Sequence, residues 1–187
     1  MDTVSRESIN DEDQFVAELH QLGITFLSNR PILSSVSSRS PEQILANAMK
    51  QQSSRVRTAV IALFLLHPDY AQFIPTAFGL LNESQSQILK IFYTASVHLQ
   101  YLYEKDLIAI TGSELVWLPD LFGEELGISV TLSPHDKIQL LGIKHQEFTQ
   151  SFINWTGTYK NVANHLIRNK QREAHWNQLH QTLSNNF

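Results

Sequence analysis

The chain has 187 residues, 14 Lys plus Arg against 18 Asp plus Glu for a formal net charge of -4, no Cys, and 42% hydrophobic against 17% charged residues. This length suits one domain with a sizeable core, and the missing Cys removes disulfides, thiolate metal sites and thiol nucleophiles, leaving His and carboxylates as candidate ligands and proton carriers. A charged fraction well under the ~25% of an average soluble domain, beside abundant Gln, Ser and Asn, implies a polar but largely uncharged surface suited to a partner.

Asn10 and Asp13 open a first helix, with Phe15, Val16, Leu19 and Leu22 at helical spacing and Gly23 closing it. Acidic residues from Asp2 to Asp13 stand where an export signal has a basic and then an apolar region. The longest apolar run, Ala59 to Leu66, is too short for the ~20 residues that span a bilayer. A cytoplasmic protein without a membrane segment is therefore expected. Ile24 to Leu27 reads as extended, Ser28-Asn29-Arg30-Pro31 as a turn, and the five serines of Ser34 to Ser40 as a linker. This divides the chain into an N-terminal helix and Ser-rich linker over 1–39 and a helical main domain over 40–187.

Ser40-Pro41-Glu42-Gln43 carries a cap hydroxyl, a first-turn proline and a Gln that returns a hydrogen bond, so a helix through about Gln52 follows. Arg55 to Leu66 is nearly all apolar after Arg57 and predicts the central core helix, stopped near His67 by Pro68. Asp69 to Leu81 predicts a weaker helix interrupted at Pro75. Asn82 then caps a longer one whose stripe is Ile88, Phe92, Ala95, Leu99 and Leu102. Beyond Lys105, Leu107 to Thr111 and Glu114 to Leu118 read as strands joined at Gly112-Ser113, a small β-hairpin over 107–118 that rests Ile108, Ile110 and Leu115 or Val116 on the helices. Pro119 to Leu132 is irregular with one helical turn near Leu121 to Leu126, and Ser133-Pro134 opens another helix that meets Gly142.

From Phe148 the apolar positions Phe152, Trp155, Tyr159, Val162 and Leu166 alternate gaps of four and three, as a seam between packed helices requires. The seam lapses at Asn169 to Glu173 and resumes in a shifted register at Trp176, Leu179 and Leu183, predicting one bent helix or two consecutive ones. The fold expected is mainly α: a single-domain bundle of about seven or eight helices with one small hairpin.

Two segments suggest chemistry. A helix followed by a hairpin resembles, over Pro41 to Pro119, the winged-helix arrangement, which implies a nucleic-acid-binding regulator or a protein-docking module. The implied recognition helix, Ser84 to Lys105, has only Lys90 and Lys105 for phosphate contacts. Arg168-Asn169-Lys170-Gln171-Arg172-Glu173-Ala174-His175 resembles the Arg, polar, variable, His motif of the HEPN ribonuclease superfamily. The resemblance implies an all-helical, usually dimeric, metal-independent ribonuclease in which Arg168 binds the scissile phosphate and His175 handles a proton during attack by a 2′-hydroxyl. Seven residues are about two helical turns, so both side chains point to one side of a continuous helix. Read on their own, Arg168, Arg172 and His175 form a solvated helix face.

The other histidines lack ligand spacing, and neither a phosphate loop nor a dinucleotide fingerprint can be written, so no metal and no cofactor are expected. Phe152, Trp155 and Tyr159 are core if their helix packs on Arg55 to Leu66, and interface anchors if it projects. Lys160, Arg168, Lys170 and Arg172 offer weak contacts to nucleic acid. The preferred reading is a non-enzymatic interaction protein, an accessory or regulatory subunit with a protein partner, self-association remaining open. The ribonuclease and the winged-helix regulator are the alternatives.

Overall fold

The computed structural model describes residues 11–27, 39–112 and 114–184. Their helices are α1 (Asp11–Gln21), α2 (Pro41–Lys50), α3 (Ser54–Thr58), α4 (Val60–Leu66), a 3-10 turn at Pro68–Phe73, α5 (Ile74–Phe78), α6 (Glu83–Leu102), α7 (Glu104–Thr111), α8 (Pro134–Thr149) and α9 (Trp155–Ser184). No strand occurs among the described residues, and the fold is mainly helical. The turn expected at Ser28 to Pro31 and the serines at 34–38 lie outside them.

Local chemistry sets several of these boundaries. Gln43 accepts the Ser40 backbone N–H at 3.1 Å to start α2, and at α6 Asn82 and Gln85 each accept the other's backbone N–H, at 2.8 and 3.1 Å. Pro75, expected to interrupt a helix, instead sits in the first turn of α5, where its missing N–H costs nothing. Every side chain from Val60 to Leu65 is buried, so α4 presents no solvent face and lies at the centre, against α6 and α9. Phe64 meets Tyr93 of α6 edge to face at 5.1 Å.

The helix expected before the linker buries Phe15 and Leu19, with Ile24 just beyond it, in the same apolar cluster as α4 and α6. Two polar ties hold that end. Arg39 donates to Glu18 at 2.8 Å and to Asp11 at 3.0 Å, and His67 Nε2 meets the Leu22 carbonyl at 2.8 Å. Burial pushes the Glu18 carboxyl above its ordinary range, partly offset by Arg39.

The hairpin expected over 107–118 is not formed. Residues 104–111 are helical because Glu104 and Asp106 favour the positive end of the dipole, and because Leu107 and Ile110, three apart, turn toward the core while Ile108 is exposed. Gly112, read as a hairpin turn, is the left-handed cap of α7 (φ 66), its N–H donating to Ile108 at 3.1 Å. Residues 114–118 are neither helix nor strand. The buried amide of Gln100 on α6 takes the place of a strand partner, donating to the Val116 carbonyl at 3.0 Å and accepting from the Leu118 N–H at 2.8 Å. Tyr93 donates to the Pro119 carbonyl at 2.7 Å, and Trp117 stacks on Tyr101 at 4.5 Å. The winged-helix likeness loses its wing with the hairpin.

The seam from Phe148 is also interrupted. Gln150 adopts a left-handed conformation (φ 49) that ends α8, its N–H and that of Ser151 returning to the Gln146 carbonyl. Asn154 then starts α9 by accepting the Gly157 N–H at 2.9 Å. Gly142 lies inside α8, not at its end. A Cβ there would come within 2.8 Å of the Thr156 backbone nitrogen, so the glycine permits the close approach of α8 and α9.

Candidate functional site

The first turns of α9 carry the aromatic residues singled out in the sequence. Trp155 and Tyr159 are buried, while Phe152, in the loop before α9, is fully exposed. His145 of α8 packs against both Trp155 and Tyr159 in the core. Its ring stacks on Trp155 at 3.7 Å, and its Nδ1 shares a 2.7 Å hydrogen bond with the Tyr159 hydroxyl. Phe92 packs edge-on against His145 and Tyr159. Burial, with Arg57 nearby, lowers His145 to about 3, and burial raises Tyr159 far above the ordinary phenol range. A neutral ring stacked in the core is a packing element and has no route to a substrate. His98 of α6 is similar: burial lowers it to about 4, and its Nε2 has no hydrogen-bond partner among the described residues.

Outward from Trp155 there is a half-open cavity of about 380 Å³. Phe26, Arg55 of α3, and Ile153, Val162 and His165 line it together with Trp155. Phe26 and His165 stack at 5.9 Å with their planes 21° apart. Sequence reading missed this cavity, because Phe26 and Arg55 carry no local signal that places them against α9.

The outer half of α9 is different in kind. From Ala174 to Leu183 every side chain is exposed, and Trp176, Leu179 and Leu183 are 60%, 43% and 60% accessible. Their gaps of three and four residues place them on one stripe. Arg168 and His175 are exposed and line one shallow hollow with His165, Arg172 and Trp176. The other cations do not join them. Lys170 pairs with Glu173 at 2.9 Å, a carboxylate that also accepts from Thr25 at 2.6 Å, and Lys160 is half-buried two turns earlier. Arg172 donates to the Asn169 side chain.

Among the described residues no three His, Asp or Glu side chains converge to hold a metal ion, and no helix is long and apolar enough to cross a membrane. No protein-family model, curated protein or solved structure gives a significant match to this chain. The eight-residue likeness to the HEPN motif therefore rests on its own residues.

Proposed function

We propose that this chain is a non-enzymatic helical interaction protein, an accessory or regulatory subunit of a larger assembly, and that its partner docks on the outer half of α9. The observation that carries this reading is the exposed stripe Trp176, Leu179 and Leu183 along the outer half of α9. Large aromatic and aliphatic groups at helical spacing are the anchors used when one amphipathic helix packs on another. The turns that carry the stripe, 174–184, hold no Lys, Arg, Asp or Glu, and Arg168 and Arg172 stand in the turns just before them. An amphipathic helix of a different protein, apolar along one face and acidic at the end that meets those arginines, complements both, whereas a second copy would bring only a second set of cations.

The test compares proteins recovered from the native host by the parent, by the Trp176→Gln/Leu179→Gln/Leu183→Gln variant, and by Val130→Gln at an unrelated exposed site. A stoichiometric partner should be lost from the triple variant alone, with light scattering giving a monomer for the isolated parent. A triple variant that keeps the same partner removes the reading, as does a monomer that turns over a substrate unaided.

One observation favours a second reading: Arg168 and His175 share a hollow with His165 and Arg172. A ribonuclease of the HEPN type would cut RNA in the presence of a chelator and leave cyclic-phosphate or 3′-phosphate ends. If Arg168→Ala and His175→Ala cut as well as the parent, that reading is lost.

A further inference from the structure

We propose that the cavity between Phe26, α3 and the first turns of α9 is a binding site for a small planar aromatic carboxylate. Its volume of about 380 Å³ lies in the range of small-molecule sites. The walls decide the body of the ligand. The stacked rings of Phe26 and His165 form one side, the indole of Trp155 and the Val162 side chain contribute another, and Ile153 lies at the exposed rim. Flat aromatic walls favour a flat aromatic guest, which gains both apolar burial and ring contact.

Arg55 decides the charge. One of its terminal nitrogens donates to the Phe26 carbonyl at 2.8 Å, an exposed contact that keeps the guanidinium beside the aromatic wall. No ion pair forms between Arg55 and a carboxylate of the described residues, and no Asp or Glu lines the cavity. A held, uncompensated guanidinium with N–H donors to spare matches the two oxygens of a carboxylate. Ser54 and Asn161, also on the lining, add polar contacts at the mouth. The site lies on the inner half of α9 and contains none of Trp176, Leu179 and Leu183, while His165 also lines the hollow beside Trp176.

The experiment titrates the full chain, labelled with 5-fluorotryptophan, with 2-naphthoate and with its neutral counterpart 2-naphthamide. The chain has three Trp, and single Trp→Phe variants at 117 and 176 assign their fluorine signals. The expected result is a saturable shift of the Trp155 signal alone, with a Kd below ~1 mM for the acid and about tenfold weaker binding of the amide, the worth of one charge-assisted contact. Arg55→Gln should bring the acid to the level of the amide, and Asn161→Trp, at an exposed lining position, should weaken both. A Trp155 signal that does not saturate overturns the proposal. So does equal binding of acid and amide, a comparison that needs no variant, or an equal shift of Trp117 and Trp176, which would mean general adhesion to exposed rings.

Discussion

Replacing Gln100 by Met tests the account given of residues 114–118. Met is unbranched and of similar length, so it fills the same buried space while deleting both hydrogen bonds to that segment. The two losses are unequal. The Leu118 N–H is buried and loses its acceptor outright, which costs about 1–3 kcal/mol, whereas the Val116 carbonyl belongs to an exposed residue and recovers water, so its net loss is about 1 kcal/mol. The expected destabilisation is therefore roughly 2–4 kcal/mol, read as a lower urea midpoint with an unchanged slope. Hydrogen exchange locates it: the Leu118 amide should lose protection first. The Tyr93 bond to Pro119 and the stack of Trp117 on Tyr101 remain, so amides of α6 itself should stay protected. Stability within about 0.5 kcal/mol of the parent, with Leu118 still protected, would refute the idea that a helix side chain substitutes here for a strand neighbour.

Burial holds His98 near 4 and His145 near 3, both below their ordinary 6.5. The unfolded chain therefore takes up protons first, and the stability of these neutral rings, complete above about pH 6.5, is lost progressively as pH falls toward 4 and 3. At pH 5 each ring should have lost roughly 2 kcal/mol, and equal urea midpoints at pH 7 and pH 5 would contradict this. Gly142→Ala should destabilise by about 1–3 kcal/mol despite the better helix propensity of Ala, because the added methyl meets the Thr156 backbone; a higher melting temperature would show that α8 and α9 have room to separate. Leu63→Ala, at a fully buried position of α4, should cost about 2–5 kcal/mol, and an unchanged melting temperature would displace α4 from the core.

What the sequence reveals of this fold follows the range of the interaction. The starts of α2, α6 and α8 depend on residues within three positions of one another, at Ser40 and Gln43, Asn82 and Gln85, and Ser133 and Asp136, and they are legible. The burial of α4 is legible because a run that is apolar on all faces must be buried, but the single helix expected over Arg55 to Leu66 divides at Ala59 into α3 and α4. The segment after α6 misleads for a different reason. Leu107 to Ile110 is apolar throughout, so periodicity cannot separate helix from strand, and Gly112 serves a hairpin and a helix cap equally well. What takes the strand partner's place at 116 and 118 is Gln100, whose amide lies in a different element. At the candidate sites, Trp155 and Phe152 looked equivalent in a regular seam, and a left-handed Gln150 puts one in the core and the other in water. The Asn154 side chain ahead of Gly157 was the local sign of that break. The cavity at Arg55 is the least legible, because Phe26 reaches it from 29 residues away along the chain.

α9 joins the two proposals and also separates them. Its inner half is held by burial: Trp155, Tyr159, Val162, Ala163, Leu166 and Ile167 are all in the core. In the outer half every side chain from Ala174 to Leu183 is exposed among the described residues. Half of Ala174 to Leu183 is His, Trp, Asn or Thr, weaker helix formers than its Ala, Leu and Gln, and an isolated segment of this length is marginal in water. What holds it helical is continuity with a turn already nucleated, since adding a residue to an existing helix avoids the cost of starting one. A docked partner would add tertiary contacts to these turns along the face that carries Trp176, Leu179 and Leu183. A ligand on Arg55 acts on the half that is already fixed. Filling the cavity should therefore leave the outer stripe unchanged, whereas a docked partner would protect the outer amides without entering the cavity.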